Sequence, residues 1–248
     1  MTATDRGNGA GRAIRGVLFD KDGTLFDFTD TWAEWVNQVL LDLAPDDLSM
    51  RARLGAAGGF DITTGRFAAE SFLVNATPDE MTRIWANLHG SLGFDEINAI
   101  CLDRLSGLIP RPVRNLCRVL DRLRSMGLTL GVATNDFVDG AEGQLAAAGV
   151  RDRFEFVCGY DSGFGGKPGT GMIEAFSSSC AIPLQDIAMI GDSTHDLIAG
   201  RSAGVGLVIG VLTGPATRQQ LETDADVVLD GIWSLPDWLA GIVDSRKE

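Results

Sequence analysis

Two carboxylates, Asp20 and Asp22, stand directly after a short apolar run and directly before a glycine. A short apolar run bounded by turn residues is typical of a buried strand, and Gly23 lets the chain turn sharply at its end. Because ligands bind at the carboxyl ends of strands in open α/β sheets, we expect both acids at a binding crevice. Carboxylates buried together are unfavourable unless a cation or a shared proton relieves the repulsion. The pair therefore favours a catalytic role over simple capping of a turn.

Polar residues also follow two later predicted strands. Thr134 and Asn135 end one strand, while Asp192 ends another and Asp196 enters the helix that follows it. Since the carboxyl ends of parallel strands share one edge of a sheet, these residues should converge with the first acid pair. A hydroxyl beside the backbone N–H groups of a helix start can bind an anion. Several carboxylates in one crevice suit a hard cation such as Mg²⁺, so we predict a magnesium site.

Lys167 is a candidate counter-charge for these acids. It lies in a loop rich in glycine and proline, and the chain contains only two other lysines, Lys21 and Lys247. Such a lysine either neutralises the clustered carboxylates or is an ordinary surface residue, and its rarity favours the first interpretation. His195 is interpreted as a helix-start residue with no part in the chemistry.

Strands alternating with helices indicate an α/β fold with a mostly parallel sheet and right-handed crossovers. After the strand that ends at Asp20, further strands are predicted at residues 128–133, 154–158, 187–190, 206–211 and 227–229. Pro112 is expected in the first turn of a helix that Gly127 closes. We expect a flexible tail over residues 1–13 and a core formed by residues 14–27 and 111–248.

Residues 28–110, called the insert below, show helical periodicity and no convincing strand. Thr31 and Glu34 form a plausible capping box for its first helix, and further helices are predicted at 67–74, 79–92 and 96–108. A segment this long exceeds an ordinary connection, so we predict a small helical domain. The glycine-rich residues 55–60 are expected to form a mobile loop. Three arginines near this loop are candidate substrate contacts, although solvated side chains are the alternative: Arg51, Arg53 and Arg66.

Composition excludes several classes of protein. The formal net charge is -13 and no basic patch is visible, which argues against nucleic-acid binding. No apolar run is long enough for a membrane helix, and no secretion signal is recognisable. The four cysteines are widely spaced, so we expect reduced thiols. We expect neither a zinc site nor a disulfide framework. We therefore expect a cytoplasmic protein without a membrane or nucleic-acid partner.

In combination the motifs resemble the haloacid dehalogenase superfamily, in its Mg²⁺-dependent phosphatase branch near the phosphoglycolate phosphatases and β-phosphoglucomutases. The resemblance implies a Rossmann-like three-layer core with a helical cap at residues 28–110. The matching residues occur in the order of the family's motifs: Asp20, Asp22, Gly23, Thr24, Thr134, Lys167, Pro168, Gly191, Asp192 and Asp196.

The resemblance also implies roles for these residues. Asp20 would attack phosphorus and form an aspartyl-phosphate, and Asp22 would protonate the leaving oxygen and later activate water. Lys167 would pair with the nucleophile and the phosphate. The implied Mg²⁺ ligands are Asp20, the carbonyl of Asp22, Asp192 and, in support, Asp196, while Thr134 and Asn135 would bind phosphoryl oxygens.

The expected activity is hydrolysis of a small, phosphoglycolate-like phosphate ester by a monomer or homodimer. Dehalogenases of this superfamily lack the second acid, so Asp22 favours ester chemistry. Phosphonoacetaldehyde hydrolases need a cap lysine, and no lysine lies between Lys21 and Lys167. Two alternatives stay open. One is a sugar-phosphate mutase with the same intermediate, and the other is a phospho-accepting receiver-like domain, whose family is shorter and lacks a cap.

Overall fold

The strands of the protein form one six-stranded sheet and one short hairpin. The computed structural model describes residues 13–68, 71–105 and 108–244. Its strands are β1 (Gly16–Phe19), β2 (Phe60–Asp61), β3 (Arg66–Phe67), β4 (Thr129–Ala133), β5 (Phe156–Cys158), β6 (Ile187–Gly191), β7 (Leu207–Val211) and β8 (Val227–Leu229). The large sheet has the order β5-β4-β1-β6-β7-β8 and every pairing in it is parallel, whereas β2 and β3 pair antiparallel. The predicted α/β sheet is confirmed.

Helices connect the strands and cover the sheet. In chain order they are α1 (Phe28–Leu43), α2 (Leu48–Ala57), α3 (Phe72–Asn75), α4 (Pro78–His89), α5 (Phe94–Leu105), α6 (Leu116–Ser125), α7 (Val138–Ala147), α8 (Gly171–Cys180), α9 (Thr194–Ala203), α10 (Arg218–Leu221) and α11 (Leu235–Asp244). Helices α1 to α5 belong to the insert, and the others belong to the α/β core.

The central strand β1 is buried along its whole length. Its side chains alternate between the two faces of the sheet, as the pleat requires. Val17 and Phe19 pack in one apolar cluster with α6 and α11, whereas Leu18 packs in a second cluster with α8 and α9. Helices therefore cover both faces, which gives three layers and leaves the strand ends as the accessible edge.

The register of the sheet aligns the ends of three strands. Phe19 of β1 pairs with Val132 of β4 and with Ile190 of β6. The backbone N–H of Asp20 also donates a hydrogen bond to the Ile190 carbonyl at 2.8 Å. Residues that follow these three strands consequently emerge side by side.

The insert has an apolar core of its own. Val36 and Leu40 of α1 pack there with Leu54 of α2, Trp85 of α4 and Ile97 of α5. The sequence specifies the start of α4 clearly, because Thr77 and Glu80 form a capping box and a proline occupies the first turn. The apolar cluster of the insert is thus separate from the two clusters that flank the sheet.

Parts of the insert differ from the sequence-based expectation. The prediction of no strand is wrong, because β2 and β3 form a hairpin in which Phe60 pairs with Phe67. The predicted helix at 67–74 is replaced by β3 and the short α3. The expected mobile loop at 55–60 is the last turn of α2 followed by β2, and Phe60 is buried. Apolar residues in a strand of two residues carry no period that a sequence pattern can detect.

Two predicted helix starts also need correction. Helix α1 begins at Phe28 with Asp27 as its N-cap, and the hydroxyl of Thr31 instead accepts a hydrogen bond from the Arg111 N–H. Pro112 forms an isolated bridge with Phe26 and precedes α6, whose N-cap has a left-handed backbone. In both cases a contact between segments distant in sequence decides the local structure.

The remaining predictions concern the tail, membranes and cysteines. Residues 1–12 of the predicted tail lie outside the described residues. No helix in the described part of the chain is long and apolar enough to cross a membrane. The cysteines are free thiols, with Cys101 and Cys158 buried and Cys117 exposed.

Candidate active site

Three adjacent strands bring polar side chains to one edge of the sheet. Asp20 follows β1, Thr134 follows β4 and Asp192 follows β6. All three residues are buried, with exposures of 8%, 2% and 1% respectively. The predicted convergence at the carboxyl edge therefore occurs, because strands β4, β1 and β6 are neighbours in the sheet.

Lys167 reaches this edge from the loop between β5 and α8. Its Nζ atom lies 2.5 Å from Asp20 Oδ1 and 2.6 Å from Asp196 Oδ1. The lysine is itself buried. Its ammonium group is thus a direct counter-charge for two carboxylates that belong to different parts of the chain.

Asn135 holds the Lys167 loop in place. The Lys167 backbone N–H donates a hydrogen bond to Asn135 Oδ1 at 2.8 Å, and Asn135 Nδ2 donates one to the Lys167 carbonyl at 3.0 Å. This reciprocal pair fixes the loop against the end of β4. The Thr134 hydroxyl accepts a hydrogen bond from the Asp136 N–H at 3.1 Å, which orders the turn after the same strand.

The pKa values of Asp20, Asp192 and Lys167 are raised above their ordinary values. Burial raises the pKa of Asp20 to about 7, an effect that Lys167 opposes and Asp196 reinforces. Burial, together with Asp20 and Asp196, raises the pKa of Asp192 well above its ordinary value. Burial lowers the pKa of Lys167, but Asp196 and Asp20 outweigh it and raise the pKa above its ordinary value. Ionisation of these buried acids is therefore unfavourable where Lys167 is the neighbouring positive charge.

The donor set fits a hard divalent cation. Carboxylate oxygens of Asp20, Asp192 and Asp196 all lie within 4.8 Å of one another. Asp192 Oδ2 is buried and accepts no hydrogen bond from any described residue, whereas Asp192 Oδ1 accepts one from the Thr24 hydroxyl at 3.3 Å. An unsatisfied buried carboxylate oxygen is costly unless a cation occupies the position. Oxygen ligands of this type are the ones that Mg²⁺ prefers.

Glycines surround the Asp192 carboxylate. A Cβ atom on Gly23 would lie 2.2 Å from Asp192 Oδ2, and one on Gly214 would lie 1.7 Å from the same oxygen. Gly23 also has a φ of +83°, a left-handed conformation that favours glycine. The sharp turn after Asp22 and the space around Asp192 therefore both require these glycines.

Asp22 belongs to a second group of side chains, called the Lys21 cluster below (Lys21, Asp22, Asp136, Gln144 and Trp32), in which Lys21 and Gln144 are buried and the others are partly buried. Lys21 Nζ lies 2.6 Å from Asp22 Oδ2 and 3.1 Å from Asp136 Oδ2, and it donates a hydrogen bond to Gln144 Oε1 at 2.5 Å. The Trp32 indole N–H donates to Asp22 Oδ1 at 2.8 Å. The Asp22 side chain is thus directed by this cluster, and its predicted metal contact through the backbone carbonyl stays a prediction.

Sequence reasoning assigned no role to Lys21, Asp136 or Gln144. A lysine between two acids at the end of an apolar strand was a usable signal, because a buried lysine requires a partner. Gln144 gave no such signal, since a glutamine on a helix is ordinary and its partner is 123 residues away. The pairing depends on where α7 packs against the sheet.

A cavity opens above these residues, between the core and the insert. Asp20, Asp22, Thr134, Asn135 and Lys167 line its base, together with Asp196 and His195. The predicted arginines do not line it, since Arg51 and Arg53 lie on α2 and Arg66 is exposed on β3. His195 lies in the first turn of α9, as predicted, whereas its having no part in the chemistry stays a prediction.

The fold is that of an α/β enzyme, in which the carboxyl edge of a parallel sheet carries a cluster of acids and a lysine paired with two of them. Residues 14–204 match the family model of haloacid dehalogenase-like hydrolases. The match covers most of the chain and includes every residue at the base of the cavity, and the chain belongs to this family. The resemblance inferred from the motifs is confirmed.

The chain is also similar in sequence or fold to proteins of this kind. The chain is 29% identical to phosphoglycolate phosphatase of Rhodospirillum rubrum over 228 residues, covering 91% of this chain and 90% of the relative. Its fold is similar to that of a predicted phosphoglycolate phosphatase from Haemophilus somnus 129PT, with a TM-score of 0.73, 18% identity and coverage of 92% and 99%. It is also similar to CbbY from Rhodobacter sphaeroides, solved in complex with phosphate, with a TM-score of 0.67, 19% identity and coverage of 90% and 96%. The protein is a phosphatase with a Rossmann-like fold.

Proposed function

We propose that the protein hydrolyses a small phosphate ester in a Mg²⁺-dependent reaction, through an aspartyl-phosphate on Asp20. The observation that carries this proposal is the position of Asp20. Its carboxylate lies 2.5 Å from the Lys167 ammonium, within 4.8 Å of two further carboxylates and at the base of an open cavity. A nucleophile, a counter-charge and a cation site are thus adjacent at the place where a substrate would enter.

The chemistry divides into two steps. Asp20 attacks phosphorus, the bond from phosphorus to the ester oxygen breaks, and Asp22 gives its proton to the leaving oxygen. Water then attacks the aspartyl-phosphate and Asp22 takes back a proton, which releases inorganic phosphate and restores both acids. Asp22 is the carboxyl group for this role because it lines the cavity beside Asp20.

Asp20, Asp192 and Asp196, with the carbonyl of Asp22, would hold the Mg²⁺ ion. When bound, the ion neutralises charge that develops on the phosphoryl group. The orphaned Asp192 Oδ2 and the raised pKa of Asp192 support this assignment, because both are relieved by a cation.

Lys167 and Thr134 would bind the phosphoryl oxygens. Lys167 supplies a full positive charge at the base of the cavity, and Thr134 supplies a buried hydroxyl at the end of β4. A phosphate dianion approaching a chain of net charge -13 needs such local compensation. Asn135 contributes indirectly, because its side chain is bound to the backbone of Lys167.

The insert would act as a cap over a core formed by residues 14–27 and 111–248. Its separate apolar core and its contribution to the cavity walls support this division. A closed cap would exclude water during attack on phosphorus. All of the residues assigned here come from one chain, so the proposal holds for a monomer or a homodimer.

Phosphoglycolate is the reference substrate, because the relatives carry its name. The test measures release of inorganic phosphate from a panel of phosphate esters at fixed Mg²⁺, with Asp20→Asn as the matched inactive variant. Release that depends on Mg²⁺ and disappears in Asp20→Asn supports the proposal. Full activity in Asp20→Asn, or an isomerised sugar phosphate in place of free phosphate, would refute it.

A further inference from the structure

An aromatic wall extends from the base of the cavity into the insert. It consists of Phe67, Phe28, Trp32, Trp35 and Trp85, all of which line the cavity. Ring centroids are 4.8 Å apart for Phe28 and Phe67, 5.4 Å for Trp32 and Trp35, and 6.4 Å for Trp35 and Trp85. Phe28 and Trp32 join the two halves at 6.5 Å. The wall thus forms a nearly continuous surface of rings that starts at Asp22, where Trp32 donates its hydrogen bond.

The described residues of the insert contribute no charge to this cavity. Across its described residues (28–68, 71–105 and 108–110), every side chain that lines the cavity is uncharged. Basic groups occur only at the base among the described lining residues. Lys167 is already paired with two carboxylates, and His195 lies on α9 of the core.

This distribution of charge discriminates between leaving groups. The phosphate of a bound ester lies at Asp20 and Lys167, so the rest of the ester points along the aromatic wall. A carboxylate there would lose its hydration against apolar rings without gaining a counter-charge, which is unfavourable. A neutral ring or alkyl group would instead gain from burial and from ring contacts.

One polar group on the wall lacks a partner. Trp32 donates its indole N–H to Asp22, and Trp85 donates its own to the Leu54 carbonyl at 3.0 Å. The indole nitrogen of Trp35 is buried and has no hydrogen-bond partner among the described residues. Buried N–H groups are rarely left unpaired, so this one is an exception among the indole groups of the wall.

The geometry points to a phosphate monoester of an uncharged alcohol with an apolar, ring-sized body, and it disfavours a carboxylated leaving group such as glycolate. This inference rests on the proposed phosphatase function and specifies its substrate class. The reaction transfers the phosphoryl group to Asp20, gives a proton to the leaving oxygen and then adds water, so the products are the neutral alcohol and inorganic phosphate.

The test compares three alkyl phosphates whose leaving alcohols differ mainly in charge and size. They are 2-phenylethyl phosphate, propyl phosphate and the phosphate ester of 3-hydroxypropionate. At fixed Mg²⁺ we expect kcat/KM for the phenylethyl ester to exceed that for propyl phosphate by at least about 10-fold, and the carboxylated ester to fall below propyl phosphate by a similar factor. Equal values, or a preference for the carboxylated ester, would overturn the inference.

Variants of the wall test the same point. Trp35→Ala should reduce the preference for phenylethyl over propyl phosphate by about 5-fold or more, because the ring loses its packing surface. Leu41→Ala is the matched control, since Leu41 lies on the same helix and is exposed. If Trp35→Ala lowers kcat/KM equally for all three esters, the wall has only a structural role, and this result would overturn the inference.

A variant that adds a positive charge to the insert side of the cavity also tests the inferred substrate class. Asn98→Arg places a cation on the insert side of the cavity, where Asn98 is a lining residue. The relative kcat/KM for the carboxylated ester should rise by about 10-fold, because the carboxylate gains a partner. An unchanged ratio would count against this location for the leaving group.

The outcomes separate this inference from the proposed function. If propyl phosphate is hydrolysed but the three esters show no preference, the phosphatase function stands and the substrate class is refuted. If none of the esters releases phosphate in the presence of Mg²⁺, and the phosphoglycolate panel is also negative, the proposed function itself fails.

Discussion

Lys21 Nζ lies 2.6 Å from Asp22 Oδ2, and Lys21 is fully buried. Burial lowers the pKa of Lys21, but Asp22 and Asp136 outweigh it and raise that pKa above its ordinary value. The second oxygen of Asp22 receives the Trp32 indole N–H. The carboxyl group proposed to move the proton is therefore held on both sides, by the buried Lys21 and by the partly buried Trp32.

Replacing Lys21 by methionine should destabilise the protein and lower kcat. The change leaves Asp22 and Asp136 without their shared cation, and removal of one partner from a buried ion pair costs about 3 kcal/mol or more. Urea denaturation measures the free energy of unfolding, and phosphate release measures kcat. Lys21→Arg keeps the positive charge. It is the control that shows whether the losses of stability and kcat come from removal of that charge.

A purely structural role for Lys21 would give a different result. If Lys21→Met loses stability but its folded fraction keeps full kcat on the best ester, the Lys21 cluster does not direct Asp22. Unchanged stability would show that the charges of the cluster are compensated in another way.

The stability of the protein should depend on pH in the alkaline range through its buried lysines. Lys21 and Lys167 both have pKa values above the ordinary 10.5 in the folded state. Their contribution to the free energy of unfolding is therefore fully present below pH 10.5 and is lost as the pH rises through the folded-state pKa. The difference in stability between the wild type and Lys21→Met should be constant from neutral pH to about 10 and shrink above it.

The difference between the two proteins isolates this dependence, because the buried cysteines and Tyr160, whose pKa values burial also raises, are common to both. Denaturation at a series of pH values gives the stability of the wild type, Lys21→Met and Lys21→Arg. The arginine variant stays charged throughout the alkaline range and serves as the control. A stability difference that stays constant through the alkaline range would contradict the predicted ion pair.

Asp192→Asn should stabilise the metal-free protein while removing its response to Mg²⁺. Asp192 is buried at 1% exposure beside two other acids, and its pKa is raised well above the ordinary value by burial and by those acids. Removing its charge relieves repulsion, so we expect a gain of about 1 kcal/mol or more in metal-free unfolding free energy. The wild type should show a rise in Tm with Mg²⁺ that the variant lacks.

Unfolding measured in EDTA reports the stability of the metal-free protein, and unfolding measured in excess Mg²⁺ reports the rise in Tm that the metal causes. Glu174→Gln is a suitable control, because Glu174 is an acid on α8 that hydrogen-bonds only locally, to Thr170. A Mg²⁺-dependent rise in Tm that persists in Asp192→Asn would place the metal elsewhere.

Asn135→Ala should lower both kcat and the free energy of unfolding. Its side chain makes two hydrogen bonds to the backbone of Lys167, at 2.8 Å and 3.0 Å. Their loss costs about 1 to 2 kcal/mol of stability and frees the loop that carries the ammonium group. We expect kcat to fall by about 10-fold or more, since small displacements of a charged group near the reacting atoms are costly.

Asn135→Asp separates the two hydrogen bonds. It keeps the acceptor for the Lys167 N–H and loses the donor to the carbonyl. An intermediate kcat between the wild type and Asn135→Ala is expected from phosphate-release kinetics. Full activity in both variants would show that Lys167 keeps its position without Asn135.

The residues of the proposed reaction were predictable because each follows a strand. Asp20, Thr134 and Asp192 end apolar runs that alternate with helices, and parallel strands bring their carboxyl ends to one edge. Lys167 was predictable from its rarity and its loop. The strand ends and the fold class thus depend on local patterns that a sequence displays directly.

The arginines of the insert were not predictable in the same way. A basic residue near a glycine-rich segment indicates exposure but gives no direction, and Arg51, Arg53 and Arg66 all lie away from the cavity. Their position depends on how α2 and the hairpin pack on α1. That packing is set by apolar contacts such as Leu40 with Leu54, which also bury Phe60.

The sequence by itself determined the α/β sheet, the acids at its edge and the lysine that pairs with them, because all of these follow from periodicity and from the cost of burying charge. Only the tertiary structure decided the partners of Lys21 and the aromatic wall. Lys21 and Gln144 are 123 residues apart, and the rings of the wall come from α1, β3 and α4. Contacts between elements distant in sequence leave no periodic signal, so the folded chain alone fixes them.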